Sequence, residues 1–160
     1  MNEADAPARV AGVVPPGEGE VIRAFGNAIQ FKLTGARTGG DLVLGLATAP
    51  PGSGAPPHVH HADDEVFIIV EGRYRVTIDG VTSEAGPGSV VYLPRGSAHS
   101  FQVLGPETGR HWVLLTPSGF ERFYASAAEV FAAPGPPDRA RLEAINAEHG
   151  VAFVGGPPAG

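Results

Sequence analysis

Apolar residues along this chain recur mainly in short runs, many of them at two-residue spacing, punctuated by glycine and proline. Glu20–Ala24, Ala28–Leu33 and Leu42–Ala49 read as strands, separated by Gly26-Asn27 and by Gly39-Gly40-Asp41. Val66–Val70 is a strand-length apolar run and Arg73–Ile78 another, and Asp79-Gly80 makes a hairpin turn into Val81–Glu84. Ser89–Leu93, Ala98–Leu104 and Trp112–Thr116 complete the set. Pro50–Pro57, with four prolines and two glycines in eight residues, is expected to be a loop that stays out of any sheet interior. Roughly eight to ten short strands at this spacing predict an all-β fold, a sandwich or barrel.

The period changes after Thr116. Ser118-Gly-Phe-Glu121 reads as a capping box, and Phe120, Phe123, Tyr124, Ala127 and Phe131 follow at helical spacing. Ser126-Ala-Ala-Glu129 can restart the helix, so one kinked helix or two short ones fit the pattern. Asp138 caps a further helix that turns Leu142 and Ile145 inward and stops at Gly150. The aromatic face is expected to pack on the outside of the β-structure rather than to line a cofactor slot. The expected division is a flexible segment over 1–19, a β-barrel over 20–117, two C-terminal helices over 118–150 and a tail over 151–160.

Composition narrows the function. At 160 residues, 42% hydrophobic and 18% charged, the chain suits one globular domain. The 23 glycines and 16 prolines gather at both ends, in Ala133–Pro137 and in turns. A net charge of −6 without any Lys/Arg cluster argues against nucleic acid as partner. No apolar run approaches membrane-span length, and the first residues do not read as a signal peptide, so a cytoplasmic protein is expected. The absence of cysteine excludes disulfides, thiolate nucleophiles and thiolate metal sites. Any metal must be held by histidine and carboxylate.

Four such residues have informative spacing. His58 and His60, two apart, share a face of an extended segment; Glu65 opens a strand with Phe67 and Ile69 on the same face; His99 lies near the start of another strand. Imidazole plus carboxylate suits one divalent transition metal ion among iron, manganese, nickel, copper and zinc. Glycines frame the set. Gly52, five residues, His58-Val59-His60, four residues, Glu65, six residues, Gly72 is followed fifteen residues later by Gly88, five residues, Pro94-Arg95-Gly96, two residues, His99. This pattern resembles the two cupin motifs, departing at Val103, where the family has asparagine, and at Ser89. The run Pro-Pro-His-Val-His-His-x-x-x-Asp-Glu and the stretch from Thr116 to Phe123 resemble single-domain bacterial cupins of the quercetin dioxygenase-like kind.

The resemblance implies a small cupin β-barrel, double-stranded and jelly-roll-like, with His58, His60, Glu65 and His99 as metal ligands. It also implies a small-molecule substrate and a homodimer. The activity it suggests is oxygenation of an enolic or phenolic, flavonol-like substrate, with Glu65 as both ligand and base. A non-oxidative lyase, isomerase or cyclase is the alternative, and a binding cupin without catalysis a third. Phe67, Phe101 and Val103, with Tyr92 close by, are expected to line the substrate pocket. His61, Asp63, Asp64, His111 and His149 are expected outside the site, and Trp112 in the core.

Overall fold

The computed structural model describes residues 8–154. The outer parts of the expected lead-in and tail, residues 1–7 and 155–160, lie outside them. The chain runs β1 (Glu20–Ala24), β2 (Asn27–Leu33), α1 (Gly35–Thr38), β3 (Val43–Ala49), β4 (Gly54–His60), β5 (Asp64–Glu71) and β6 (Arg73–Ile78). It continues through β7 (Val81–Ala85), β8 (Val90–Leu93), β9 (Ala98–Leu104), β10 (Gly109–Thr116), α2 (Phe120–Ala132), α3 (Arg139–Glu148) and β11 (Val151–Phe153). Two antiparallel sheets form, one in the order β1-β2-β3-β10-β5-β8 and the other β11-β4-β9-β6-β7. They face each other in a jelly-roll-like arrangement, open rather than closed into one hydrogen-bonded barrel.

Alternation supplies the core. Phe67 and Ile69 from β5, Val113 and Leu115 from β10, Val43 and Ala47 from β3, and Tyr74, Val76 and Val103 from the facing sheet are all buried. A buried side chain of the Phe or Leu class contributes about 1.5–3 kcal/mol. The β10–β5 register sets Leu115 opposite Glu65, Val113 opposite Phe67 and His111 opposite Ile69, so the three β10 residues face inward with them.

Several expectations are corrected. The proline-rich loop is partly a strand, since β4 begins at Gly54 between β11 and β9. Pro56 and Pro57 cannot donate, and the β4–β9 ladder slips between Ala55 and His58, where they lie. Gly54 suits that place because a Cβ there would collide with the Phe101 carbonyl on β9. A one-turn helix, α1, was not anticipated. α2 is continuous; its N-cap is Gly119, not Ser118, with no side-chain cap. Glu121 still reaches back, its Oε2 accepting from Gly119 N at 2.8 Å and its Oε1 from Gly35 N at 2.8 Å, which ties α2 to α1. Asp138 caps α3 as expected, accepting from Arg141 N. The start of the expected tail is β11, paired with β4.

Trp112 is not in the core. It lies half-buried on the outer face of the six-stranded sheet, in a cross-strand row Leu46–Trp112–Ile68–Val90 beside a second row, Leu44–Leu114–Val66–Tyr92.

Candidate metal centre

The two sheets bring the four expected ligands together. His58 and His60 project from β4, His99 from β9 and Glu65 from β5 in the opposite sheet, and one ligand atom from each lies within 4.8 Å of all the others. His58 and His99 are direct cross-strand partners. Their ring centroids are 4.3 Å apart, and those of His60 and His99 are 5.5 Å apart. Glu65 Oε2 is 3.2 Å from His99 Nε2 and 3.7 Å from His60 Nε2. His60, Glu65 and His99 are buried, while His58 keeps some accessible surface.

Outer contacts aim the rings. A carbonyl can only accept, so His58 Nδ1 donates to Pro56 O at 2.7 Å and His99 Nδ1 to Ser97 O at 3.1 Å. That selects the tautomer with a bare Nε2 in each. His60 Nδ1 lies 3.5 Å from the Asp63 carboxylate, which is buried on the same side. Asp63, expected in a solvated loop, therefore orients a ligand. Asp64, its neighbour, accepts from the backbone N, Nε and Nη2 of Arg95, at 2.9, 3.1 and 3.0 Å. Gly96 N also donates to His60 O at 2.8 Å. The Pro94-Arg95-Gly96 turn is thus clamped to the strand ends that carry His60 and Glu65. His61, as expected, is exposed.

The electrostatics call for a cation. Glu65 Oε2 and His99 Nε2 are fully buried with no hydrogen-bond partner, and such orphans are costly in a protein interior. Burial by itself favours a neutral Glu65, but the His99 ring beside it and the charges of His60 and His58 outweigh that and hold its carboxyl below the usual range. Burial likewise works against a charged His60, yet Asp63 and Glu65 prevail and raise it. Burial, with His99 and His60 nearby, lowers His58 to about 4. An ionised carboxylate among imidazoles fits a divalent transition ion, whose ligands are neutral imidazole and carboxylate.

The centre opens on a cavity walled by Phe25, Phe67, Phe101, Phe120, Phe123, Tyr124 and Phe153. Of the expected pocket residues, Phe67 and Phe101 line it. Val103 is packed in the core away from it, and Tyr92 is 59% exposed on the outer sheet face. The aromatic face of α2 lines the cavity instead of simply covering the sheets: Phe120 lies 6.0 Å from the His60 ring.

His111, expected at the surface, is 3% exposed and forms part of the cavity wall. Its Nδ1 is 2.9 Å from the Tyr74 hydroxyl, and burial lowers it to about 4 while raising the Tyr74 phenol. Strand parity was the available signal, since His111 shares the alternation of Val113 and Leu115. His149 ends α3 with its ring 5.8 Å from Phe123.

Residues 45–114 match the family model for the cupin domain. The chain is similar to dimethylsulfoniopropionate lyase DddW of Ruegeria pomeroyi, 41% identical over 91 residues that cover 54% of this chain and 59% of the lyase. It is similar to polyketide synthase CurC of Streptomyces cyaneus, at 32% over 109 residues covering 66% and 69% of the two chains. With quercetin 2,3-dioxygenase of Bacillus subtilis it shares 24% identity over 119 residues, 74% of this chain and 35% of that enzyme. Among solved structures, KdgF from Halomonas superposes with a TM-score of 0.62 at 18% identity, over 71% of this chain and 99% of that one. The chain thus spans little more than half the length of the lyase and about a third of the dioxygenase.

Proposed function

The chain belongs to the cupin superfamily, and on that premise we propose that it is a metal-dependent dioxygenase acting on a small enolic or phenolic, flavonol-like substrate. The observation that carries the reading is the junction of three aimed imidazoles and one ionised carboxylate with an aromatic-walled cavity. A flat, mostly apolar body suits such walls, which also exclude water from the reacting end. His58, His60, Glu65 and His99 would hold the divalent ion, whether iron, manganese, nickel, copper or zinc, and it would supply Lewis-acid polarisation of a substrate oxygen. Glu65 is the base: its carboxylate lines the cavity, where it takes the acidic enol or phenol proton. Oxygen uptake on a panel of phenols, measured with metal analysis of the same sample, tests this. A metal-replete protein that consumes no oxygen with any of them overturns it.

A second reading keeps the site and dispenses with oxygen. The 41% identity to a dimethylsulfoniopropionate lyase supports an elimination, in which Glu65 takes a proton from the carbon next to a carboxylate as a thioether leaves. Release of a volatile sulfide from dimethylsulfoniopropionate under nitrogen distinguishes it from the first reading.

A cytoplasmic homodimer completes the proposal. Among the described residues, no helix is long and apolar enough to cross a membrane. The two apolar rows outside the six-stranded sheet span four strands, about 15 Å at ~4.8 Å per strand. Each end of the patch carries a neutral pair, Arg110–Glu71 and Arg95–Asp64, so two copies with a net charge of −6 each meet there on an uncharged face. Such a patch supplies the apolar centre of a two-fold interface, which in a standard case takes roughly 800 Å² from each partner. Light scattering should report a dimer, and Ile68→Asp with Val90→Asp a folded monomer; a wild-type monomer at micromolar concentration refutes the assembly.

A further inference from the structure

The pair formed by Tyr74 and His111 has no part in the chemistry above, yet it is built with care. Tyr74 is wholly buried, and its hydroxyl occupies a slot that exists because residue 109 is glycine: a Cβ at Gly109 would collide with the hydroxyl oxygen. From that slot the hydroxyl meets His111 Nδ1 at 2.9 Å. Two proton arrangements satisfy that distance. If Nδ1–H donated to the phenol oxygen, the phenol proton would be left unpaired among Phe101, Val103 and Gly109, an uncompensated loss of its hydrogen bond to water. If the phenol donates to Nδ1, both groups are satisfied and the ring proton moves to Nε2. The second arrangement wins.

No hydrogen bond to Nε2 is found among the described residues, and the His111 ring lines the cavity. The other polar side chains of the wall outside the metal group are already committed. Asn27 Oδ1 accepts from Ser53, Asn27 Nδ2 is directed at two backbone carbonyls, and the Tyr124 hydroxyl donates to Ala24 O.

We infer that His111 presents a neutral Nε2–H to the cavity as the second anchor of the substrate. It selects molecules with a hydrogen-bond acceptor, such as a carbonyl, carboxylate or ether oxygen, away from the end docked at the metal ligands. The substrate class is a flat apolar body with oxygen functions at two separated ends. This assignment rests on the proposed metal-dependent reading of the cavity, and Tyr74 is a positioning residue that sets the tautomer of His111.

Zinc-loaded protein under nitrogen tests it without turnover, because the proposed reaction then lacks its oxygen and zinc has no redox chemistry of its own. Calorimetry compares catechol, which has only the docking hydroxyls, with 3,4-dihydroxybenzaldehyde, which adds a carbonyl opposite them. Wild type should bind the aldehyde about three- to tenfold more tightly, the worth of one hydrogen bond. His111→Phe, which keeps a flat ring, should lose that preference and retain catechol. Independently, nitrogen-15 NMR of the wild type at pH 7 should find the His111 proton on Nε2, and Tyr74→Phe should mix the tautomers. A proton on Nδ1 in the wild type, or an aldehyde preference that survives His111→Phe, overturns the role of His111. Failure of catechol itself to bind the zinc protein overturns the metal-docking reading, and with it the two-anchor substrate, whatever the tautomer.

Discussion

Two polar clusters face the same cavity and solve burial in opposite ways. The His58–His60–Glu65–His99 group leaves Glu65 Oε2 and His99 Nε2 buried without partners, whereas Tyr74 and His111 satisfy each other at 2.9 Å. The first group gathers a carboxylate that stays ionised and an imidazole, His60, that is raised; the second holds two groups that burial keeps neutral. The comparison separates a site that needs a cation from one that needs none. Orphaned lone pairs converging within 4.8 Å are the mark of the former.

The largest effect that would break this comparison is on turnover. Glu65→Gln, reloaded to full metal occupancy, should lose ~10²–10⁴-fold in rate, the usual worth of a general base. Near wild-type turnover from a metal-replete variant would leave Glu65 as a ligand only.

Next comes the ion itself. The protein should carry about one transition-metal ion per chain, and His58→Ala, His60→Ala or His99→Ala should each largely remove it, as read by elemental analysis. Asp63→Asn, which weakens the contact that aims His60, should reduce metal affinity by ~10–100-fold. Protons compete for the same imidazoles, so occupancy should fall as pH drops below about 6.5. His60, raised by Asp63 and Glu65, takes up its proton first, while His58, lowered to about 4, stays available. Undiminished metal after dialysis near pH 4 would refute a histidine-held ion.

The second cluster predicts a smaller effect on stability. His111 is neutral in the folded chain down to about 4, and an unfolded histidine takes up its proton near 6.5. Between those values the unfolded state binds the additional proton, so His111 makes stability fall as pH falls. Between pH 6.5 and 5 its share of that loss is about 1–2 kcal/mol. Urea unfolding of His111→Phe should show an acid limb shallower by that amount; equal slopes would place His111 in a wetter environment than the structure gives it.

The smallest expected effect sharpens the boundary of the site. Tyr92 lies outside, on the face proposed for the dimer, so Tyr92→Ser should change neither metal content nor ligand binding. A lost ligand affinity in that variant would return Tyr92 to the pocket.

The ligand set was legible in the sequence because its spacing reports local geometry. Two histidines two residues apart share a strand face, and Glu65 heads the next strand, so three of the four donors needed little long-range information. Most strands were legible for the same reason. Where the reading failed, the decision lay between elements. β10 carries Trp112 and Leu114 on one face and His111, Val113 and Leu115 on the other, and hydropathy alone put the tryptophan inside. Its pairing with β5, which sets Leu115 opposite Glu65 and His111 opposite Ile69, put the histidine there instead. Tyr92 went outward by the same rule, since it pairs with Val66 on the outer face.

The proline run became a strand because β9 and β11 flank it and the ladder slips past residues that cannot donate. Asp63 turned from solvated acid to ligand support because the chain folds it over His60, and α2 turned its aromatic face to the cavity because the gap between the sheets opens there. By itself the sequence determined which atoms can hold a metal and that short strands carry them, since donor chemistry and side-chain period are properties of residues and their neighbours. The tertiary structure alone decided which face of each strand is inside, what the cavity wall is made of and where the second anchor stands, because those depend on register between segments far apart in the chain.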